Sequence, residues 1–402
     1  MPAVAIRAHT ATTALGRGRD AQLQALRARR SGLRRNDFGG AVPGGRLDTW
    51  IGRVDGLEHA PLPPALAGWE CRNNRLAWLA LQQDGLAAAV AAARARHGAE
   101  RIAVVMGTST ASIGESEDAY AGLVPGDDGV ATFAPARVRP IVHTPHSLGD
   151  FVRAACELRG PAVTVATACS SIAKVFAQAA RMLQAGLVDA ALVGGVDTLC
   201  GSVLFGFNAL GLVSSRPARP FDASRDGLSL GEAGGFALLE RAGDGPGGLL
   251  LTGYGESSDA HHMSAPHPEG LGARLAMADA LARAGIDAAA VGYLNLHGTA
   301  TPANDSVEAA AVAALFPPSL HASSTKGWTG HTLGAAGIVE SVFALLALEH
   351  GLLPGMLHGE SPDPACGPQI AFDNADAPGI RHAMNNSFGF GGNNASLVFS
   401  RA

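Results

Sequence analysis

The chain has 402 residues, of which 47% are hydrophobic and 16% are charged, so it is long enough to bury a large core. Its net charge of −5 supplies no positive field for nucleic acid, and no uncharged apolar run reaches the roughly 18 residues that a membrane span needs. The five cysteines are scattered without a C-x-x-C pair, which argues against disulfides or structural zinc and favours a reducing, cytoplasmic compartment.

Short apolar strands alternate with alanine-rich helices from about residue 100 onwards. The pattern predicts strands and helices in β–α–β order, with parallel strands and right-handed crossovers. The predicted strands are 101–109, 161–168, 188–197, 248–258 and 291–297, with two more within 383–400, and the predicted helices are 170–186, 270–286, 304–316 and 334–351. A loop near residue 245 divides the chain into two α/β halves, 1–245 and 246–402, which we expect to form one body.

Three finer expectations concern helices. Leu271, Leu275, Ala278 and Leu281 have helical spacing and predict the buried face of their helix. Either Asn304 or Asp305 is predicted to cap the helix that follows. The arginines in 27–35 indicate either a solvated helix end or a patch for an acidic partner, and the first interpretation is favoured.

Cys169 follows a predicted strand and precedes a predicted helix, in the segment TVATACSSIAKVF. A helix N-terminus stabilises an anion and lowers the pKa of a thiol placed there. A nucleophile also needs a sharp corner, which the small neighbours Ala166 and Ala168 permit. Because most free cysteines are simply buried core residues, this corner alone leaves both roles open.

Two of the 14 histidines, His297 and His331, lie at junctions between predicted strands and helices, where α/β proteins place their active sites. Lys326 lies close to His331 in the sequence. It and Lys174 are the only lysines among the 30 lysine and arginine residues of the chain. A lysine carries a compact charge, and its pKa falls readily when the side chain is buried, whereas an arginine stays charged. A metal site among the loop histidines 261, 262 and 267 is disfavoured, since no acidic or cysteine partner has ligand spacing.

The turn SFGFGG, residues 387–392, alternates phenylalanine with glycine. Its backbone N–H groups are suited to face a developing oxyanion, and the alternative is a tight hairpin with core phenylalanines.

Five segments together resemble the β-ketoacyl-[acyl carrier protein] synthases, the condensing enzymes of the thiolase superfamily. They occur in the family's order and are TACSS, RPFDASRDGLSLGEAGG, HGTATPANDSVE, SSTKGWTGHTLGAAGIVES and NSFGFGGNN. The resemblance implies an α/β thiolase fold, in which two similar halves form a five-layered α-β-α-β-α body. It points to the Cys-His-His class, because His331 stands where the Cys-His-Asn class has asparagine.

The resemblance also implies roles for particular residues. Cys169 would carry the acyl chain as a thioester, His297 and His331 would assist malonyl decarboxylation, and Lys326 and Glu308 would support them. The Phe390 backbone would donate to the thioester oxygen, and its side chain would act as a gate. Substrate or pantetheine contacts are expected from Thr299, Thr301, Phe388, Ser264 and Thr108, and a structural cation from Asn295, Glu340 and Ser387.

The resemblance implies no cofactor and no catalytic metal, because acyl groups arrive on the phosphopantetheine of an acyl carrier protein. It implies a homodimer or a heterodimer with a chain-length-factor-like subunit. Three segments resemble a narrower group, the synthases of aryl polyene pigments: GTSTASIGESE, GESSDAHHMSAPHPEG and STKGWTGH. That group is itself similar to ordinary fatty-acid elongating synthases. Two residues depart from the family pattern: Asn393 stands where threonine is usual, and Ser170 where alanine is common.

Three other functions are weighed against this one. A non-condensing chain-length factor would lack the nucleophile, commonly having glutamine in its place. A thiolase would have a second cysteine near the GFGG turn, where this chain has none. A cysteine hydrolase is the most distant alternative.

Overall fold

The computed structural model describes residues 1–39, 45–243 and 248–402. The expected domain boundary at 245 lies outside the described residues, so the division into 1–245 and 246–402 stays a prediction. The helices are α1 (Gly18–Arg27), α2 (Arg72–Leu81), α3 (Leu86–His97), α4 (Ile113–Ala121), α5 (Ser147–Ala155), α6 (Ser171–Gln184), α7 (Gly201–Ala209), α8 (Leu271–Ala284), α9 (Pro302–Leu315), α10 (Lys326–Thr329) and α11 (Ala336–His350).

The strands agree with the alternation predicted for the chain from residue 100 onwards. They are β1 (Val4–Thr13), β2 (Gly16–Arg17), β3 (Leu33–Arg35), β4 (Trp50–Gly52), β5 (Ile102–Gly107), β6 (Leu123–Pro125), β7 (Ala131–Phe133), β8 (Ala162–Val165), β9 (Ala190–Asp197), β10 (Leu230–Gly231), β11 (Ala233–Arg241), β12 (Leu249–Ser258), β13 (Tyr293–Asn295), β14 (His321–Ser323), β15 (Leu352–Leu353), β16 (Ala375–Asp376), β17 (His382–Gly389) and β18 (Asn393–Arg401).

Within the described residues, the large sheet has eleven strands: two five-stranded groups with the same topology, and β2, which pairs with β1. Outward from their junction, one group runs β1, β11, β9, β5, β8 and the other runs β12, β18, β17, β13, β14. In both groups the first two pairings are antiparallel and the last two are parallel. The groups meet where Val4–Ile6 pairs with Leu249–Leu251. The chain therefore contains two copies of one α/β unit, as the resemblance implies.

Helices form three layers around these two groups of strands. α6 and α11 contact each other, and each contacts strands of both groups, so they make the central layer. α2, α3 and α5 cover the outer face of the first group, and α8 packs on the second group with α9 beside it. This arrangement is the five-layered body that the family resemblance predicts.

α11 is a core helix. The described residues contain one straight helical stretch, Leu333–His350, that is long and apolar enough to cross a membrane, and 89% of it is buried inside the fold. The bent pair Arg72–Leu81 and Leu86–His97 would meet the same criteria only if taken as one broken span.

The predicted buried face of α8 is wrong for Leu271, Leu275 and Ala278, which are exposed, and right for Leu281, which is buried. Leu271 and Leu275 are 42% and 52% exposed, whereas Ala276 and Ala280 are buried. The cause lies in β12, where a Cβ on Gly255 would fall 1.9 Å from the Ala276 carbonyl oxygen. Helix and strand thus approach so closely at Gly255 that a small residue is needed there, and Leu271 and Leu275 face outward.

The predicted cap of α9 is also wrong. The helix begins at Pro302, and Thr301 occupies its N-cap position. Proline is favoured at the first helical position because its fixed φ suits the helix and it lacks an N–H. Asp305 instead accepts hydrogen bonds from the backbone N–H groups of Phe221 and Ala300.

Several arginines in 27–35 are engaged within the chain. Arg29 donates to the carbonyl oxygens of Met356 and Phe372, and Arg34 pairs with Asp55 at 2.7 Å. Arg27 is the exposed last residue of α1, which agrees with the predicted solvated helix end, and these contacts engage Arg29 and Arg34 within the chain and not with an acidic partner.

Candidate active site

Cys169 lies in a sharp corner between β8 and α6. Its neighbour Ala168 has a left-handed φ of +52°, which is strained for a residue with a Cβ. The hydroxyls of Ser109 and Ser171 both donate to the Ala168 carbonyl oxygen, and the Ser171 hydroxyl accepts from the Thr167 N–H. These bonds hold the corner that places the Cys169 side chain at a cavity.

The structure brings Cys169, His297 and His331 together. His331 Nε2 lies 3.1 Å from Cys169 Sγ, and one ligand atom from each of the three residues lies within 4.8 Å of the others. The two imidazole rings are 5.4 Å apart between centroids, at 85°. His297 follows β13, which ends two residues earlier than predicted, and His331 follows α10. All three side chains are buried.

Lys326 lies behind His297. Its Nζ is 3.5 Å from His297 Nδ1, and it donates to the His297 carbonyl oxygen and the Glu340 carboxylate. Because an ammonium group only donates, we assign the His297 proton to Nε2, which makes Nε2 a hydrogen-bond donor. Lys326 and Glu340 are both buried, so each neutralises the charge of the other.

Glu308, on α9, fixes the backbone of the His297 loop. Its carboxylate accepts hydrogen bonds from the N–H groups of His297 at 2.8 Å and Gly298 at 2.7 Å, and from the Asn386 amide at 3.2 Å. Burial raises the pKa of Glu308 to about 7, while these bonds oppose the rise. Glu308 therefore acts on His297 through the main chain.

Both histidines are neutral at physiological pH. Burial, followed by the charge of Lys326, holds the pKa of His297 and His331 well below 6.5. A neutral imidazole offers one N–H and one acceptor nitrogen, so these rings can donate hydrogen bonds without carrying charge.

The resting form of Cys169 differs from the sequence prediction. Burial raises the pKa of the thiol to about 12, and the nearby Lys326 charge offsets only part of that rise. A helix N-terminus contributes at most about 2 kcal/mol, equivalent to about 1.5 in pKa. The expected thiolate is therefore wrong for the resting protein, because desolvation exceeds the effect of the helix.

This difference can be tested with the free protein. Because the pKa of Cys169 is raised to about 12, its alkylation by iodoacetamide should accelerate continuously from pH 6 to pH 9, since the reactive thiolate is a growing minor species. The measurement is peptide mass spectrometry at Cys169, with the Cys169→Ala protein as background. A rate that levels off above pH 7 would instead reveal a stabilised thiolate.

The glycine turn between β17 and β18 lies against the nucleophile. The Phe390 backbone N–H lies near the Cys169 thiol and lowers its pKa, and the Phe390 ring stacks on Phe207 with centroids 5.5 Å apart. Gly391 and Gly392 have φ values of +76° and +70°, which a residue with a Cβ rarely adopts. The turn thus aims one backbone donor at the sulfur and places one aromatic ring over the cavity.

The cavity in front of Cys169 has a volume of about 60 Å³. Ligand pockets are typically about 300–1,000 Å³, so an acyl chain enters only if part of the wall moves. The Thr299 and Thr301 hydroxyls hydrogen-bond each other at 2.8 Å in this wall. The residues that line the cavity include Cys169, Phe207, Met263, Ser264, His297, Thr299, Thr301, His331, Phe388 and Phe390.

Thr108 occupies a different place from the one expected. It is buried, and its hydroxyl donates to the Asp197 carboxylate at 2.7 Å, so it is not available to a substrate in this arrangement. The reason is Asp197, at the end of β9, which also accepts from the Ser109, Thr110 and Ala335 N–H groups. Sequence reasoning missed Asp197, although its position after VGGV at a strand end was a usable signal.

The expected cation residues are buried near Lys326. Glu340 binds Lys326 through Oε1, and Asn295 hydrogen-bonds Tyr293 and Thr325. Among the described residues, Glu340 Oε2 and Ser387 Oγ are buried without a hydrogen-bond partner. Unpartnered oxygens suit a hard cation, so these residues fit the group, and the cation stays a prediction.

Comparison with known proteins agrees with the geometry. Residues 73–245 match the model of the β-ketoacyl synthase N-terminal domain, and residues 250–360 match that of the C-terminal domain. A mitochondrial 3-oxoacyl-[acyl-carrier-protein] synthase of Arabidopsis thaliana is 39% identical over 60% of this chain and 57% of its own length. The 3-oxoacyl-[acyl-carrier-protein] synthase 2 of Staphylococcus aureus is 34% identical over 75% of this chain and 76% of its own length.

Solved structures extend the match to the full chain. The ketosynthase ApeO of Xenorhabdus doucetiae, in complex with its chain length factor ApeC, is 37% identical over 100% of this chain and 98% of its own, with a TM-score of 0.88. A β-ketoacyl synthase of Burkholderia phymatum is 28% identical over 100% of both chains, with a TM-score of 0.86. The fold and site define a condensing enzyme of the thiolase type. This chain belongs to the β-ketoacyl synthase family.

Proposed function

We propose that the chain is a β-ketoacyl-[acyl carrier protein] synthase, an acyltransferase that catalyses decarboxylative Claisen condensation. The observation that carries the proposal is the buried cluster of Cys169, His297 and His331, with ligand atoms within 4.8 Å of one another at a cavity. Its two substrates are an acyl group and a malonyl group, each delivered as a thioester on phosphopantetheine, and no separate cofactor takes part.

In the first step, Cys169 attacks the acyl thioester and the carrier thiol leaves. His331 Nε2, 3.1 Å from Sγ, is placed to relay the thiol proton to the departing carrier sulfur. The backbone N–H groups of Cys169 and Phe390 donate to the tetrahedral oxyanion. The product is an acyl-Cys169 thioester.

In the second step, the malonyl thioester loses CO₂ and becomes an enolate. His297, held as the Nε2–H tautomer by Lys326, donates to the enolate oxygen. His331 accepts at Nε2 in the first step and donates from Nε2 in this one, after its single proton has exchanged between the two ring nitrogens through solvent. Its Nδ1 has no hydrogen-bond partner among the described residues that would fix one tautomer. The enolate carbon attacks the acyl-Cys169 carbonyl, and the cysteine sulfur leaves and regains a proton. The β-ketoacyl product, two carbons longer, remains on the carrier protein.

The other wall residues bind the incoming arm. The hydroxyls of Thr299 and Thr301 offer a hydrogen-bonding pair to pantetheine, and Ser264 and Phe388 complete this part of the wall. Lys326 and Glu308 serve the reaction by fixing His297.

We also propose a partner subunit of the chain-length-factor type, with a homodimer as the alternative. Seven of the twelve exposed large hydrophobic side chains among the described residues fall between Ile113 and Ile141. They follow β5 in the chain, and β8, which pairs with β5, ends the sheet on this side with an unpaired edge. Exposed apolar surface and a free edge both favour a subunit interface. The ketosynthase ApeO is likewise found with a chain length factor.

The pathway proposed is polyene or polyketide elongation, of the aryl polyene type, in the cytoplasm, with fatty-acid elongation as the second candidate. The three segments that resemble the aryl polyene group support the first. The presence of Cys169, His297, Lys326 and His331 argues against a non-condensing subunit.

The function is tested by incubating the protein with acyl- and malonyl-carrier proteins, alone and with a chain-length-factor subunit. We expect a carrier-bound β-ketoacyl product two carbons longer than the donor, detected by mass spectrometry of the intact carrier. Failure of both preparations to form it, with acyl chains from two to sixteen carbons, would overturn the proposal.

A further inference from the structure

Two residues that stand out in the sequence are hydrogen-bonded to each other in the fold. Lys174 is one of two lysines, and Asn393 departs from the family's usual threonine. Lys174 Nζ donates to Asn393 Oδ1 at 3.2 Å. Lys174 lies on α6, whose N-terminus adjoins Cys169, and Asn393 begins β18 directly after the glycine turn. The bond therefore joins the nucleophile helix to the turn that carries Phe390.

The turn already packs closely on the nucleophile corner. A Cβ on Gly389 would lie 2.9 Å from the Thr167 carbonyl oxygen and 3.1 Å from the Ser170 nitrogen. Gly391 and Gly392 supply the turn with left-handed dihedrals that ease a change of conformation. Since the cavity of about 60 Å³ is too small for an acyl chain, this glycine turn is the part of the wall best suited to move.

Lys174 is well placed to restrain that movement. Its stem is half-buried, so the ammonium reaches the turn from a fixed direction. The neighbouring Glu256 is held by Arg181, a pair 2.5 Å apart, and is thus already engaged by another cation. An ammonium is a compact donor that can serve one amide oxygen, and the asparagine side chain extends one atom farther than that of threonine.

We propose that Lys174 is a positioning residue, which through Asn393 ties the glycine turn to α6 and so limits how far Phe390 moves away from Cys169. The tether sets how bulky an acyl chain the site accepts. The proposal rests on the proposed function only in naming an acyl chain as the occupant.

The test uses Lys174→Met, Asn393→Thr and the double variant, with Cys169 alkylation by iodoacetamide as the readout. Loss of one charge-assisted hydrogen bond should raise the alkylation rate of each single variant by about three- to tenfold. The double variant should match the faster single variant, since both changes remove the same contact. Removing a positive charge by itself would slow alkylation, so acceleration reports opening of the turn.

The matched control is Gln184→Met, which removes an exposed hydrogen-bonding side chain from the far end of the same helix and should leave the rate unchanged. Lys174→Gln, with thermal melting of each variant, provides a second variant should the methionine disturb folding. Single-variant rates within twofold of the parent, or effects that multiply in the double variant, would overturn the tether.

A second readout ties the tether to substrate choice. Acyl transfer to Cys169 in Lys174→Met should shift towards longer chains, measured as the ratio of long- to short-chain acyl-enzyme. An unchanged ratio would overturn the link to acyl size. If the variants change the alkylation rate of Cys169 but no carrier supports condensation, the proposed function is wrong and the tether is retained. If condensation occurs but the variants leave the alkylation rate unchanged, only the tether is wrong.

Discussion

The Cys169→Ala variant should lose condensation by a factor of at least about 10⁴, because Cys169 is the one thiol among the described residues that line the cavity. Cys169 touches the reacting atoms, and the fold builds its strained corner around it. The measurement is β-ketoacyl-carrier formation with both carriers present. Cys200→Ala, which removes another buried free thiol, is the matched control and should retain activity. An undiminished rate in Cys169→Ala would refute the assignment of the nucleophile.

The same position separates the two half-reactions. The Cys169→Gln variant should still release CO₂ from malonyl-carrier protein, because His297 and His331 remain to stabilise the enolate oxygen. The glutamine amide occupies the space of an acyl-cysteine, which is the state in which decarboxylation is needed. Acetyl-carrier protein, the protonated enolate, is the product to be followed. Loss of decarboxylation here would show that the two histidines are not sufficient for that step.

Much of this site was predictable because the groups lie in long segments whose order along the chain is informative. Cys169 and His297 each follow a strand and precede a helix, as predicted, whereas His331 follows α10 and not a strand. Their meeting depends on the packing of the two strand groups against each other, which the order of the segments does not specify. The duplicated strand order was also implied, although through family resemblance. Hydrophobic periodicity predicts individual strands and helices, but it does not predict which strands pair with each other in the sheet.

What the sequence did not predict depends on contacts between distant segments. The exposure of Leu271 and Leu275 on α8 follows from Gly253 and Gly255 in β12, which bring the strand close to Ala276 and Ala280. The raised pKa of Cys169 follows from burial, which a local motif does not reveal. Likewise, Thr108 is drawn away from the cavity by Asp197, and Lys174 meets Asn393 across the fold. Each involves residues far apart in the chain.

Lys326 has a structural role and a chemical role, and a pair of variants should separate them. The Lys326→Met variant leaves Glu340 buried without its cation, which should destabilise the fold by about 3–5 kcal/mol. The double variant Lys326→Met/Glu340→Gln removes both charges and should recover most of that loss in a urea titration. A double variant as unstable as Lys326→Met would show that the ion pair is not the source of the effect.

The pH dependence of Lys326→Met has a definite sign. Burial already raises the pKa of Glu340 from 4.5 to about 7, and removal of Lys326 takes away the largest influence that lowers it. At a pH between 4.5 and the raised pKa, Glu340 is therefore protonated in the folded variant but ionised in the unfolded chain. The contribution of Glu340 to the stability of this variant is therefore fully present below about pH 4.5 and is lost as the pH rises through the folded-state pKa. The double variant should lack this component, because glutamine does not titrate.

Activity should not recover along with stability. In the double variant no ammonium fixes the His297 tautomer or holds its carbonyl oxygen, so the Nε2 donor to the enolate is no longer selected. We expect malonyl decarboxylation to remain reduced by about 10²–10³, the loss typical for one oxyanion donor. Restored decarboxylation in the stable double variant would mean that Lys326 serves only to neutralise Glu340, and that His297 is oriented by the Glu308 contacts to its backbone.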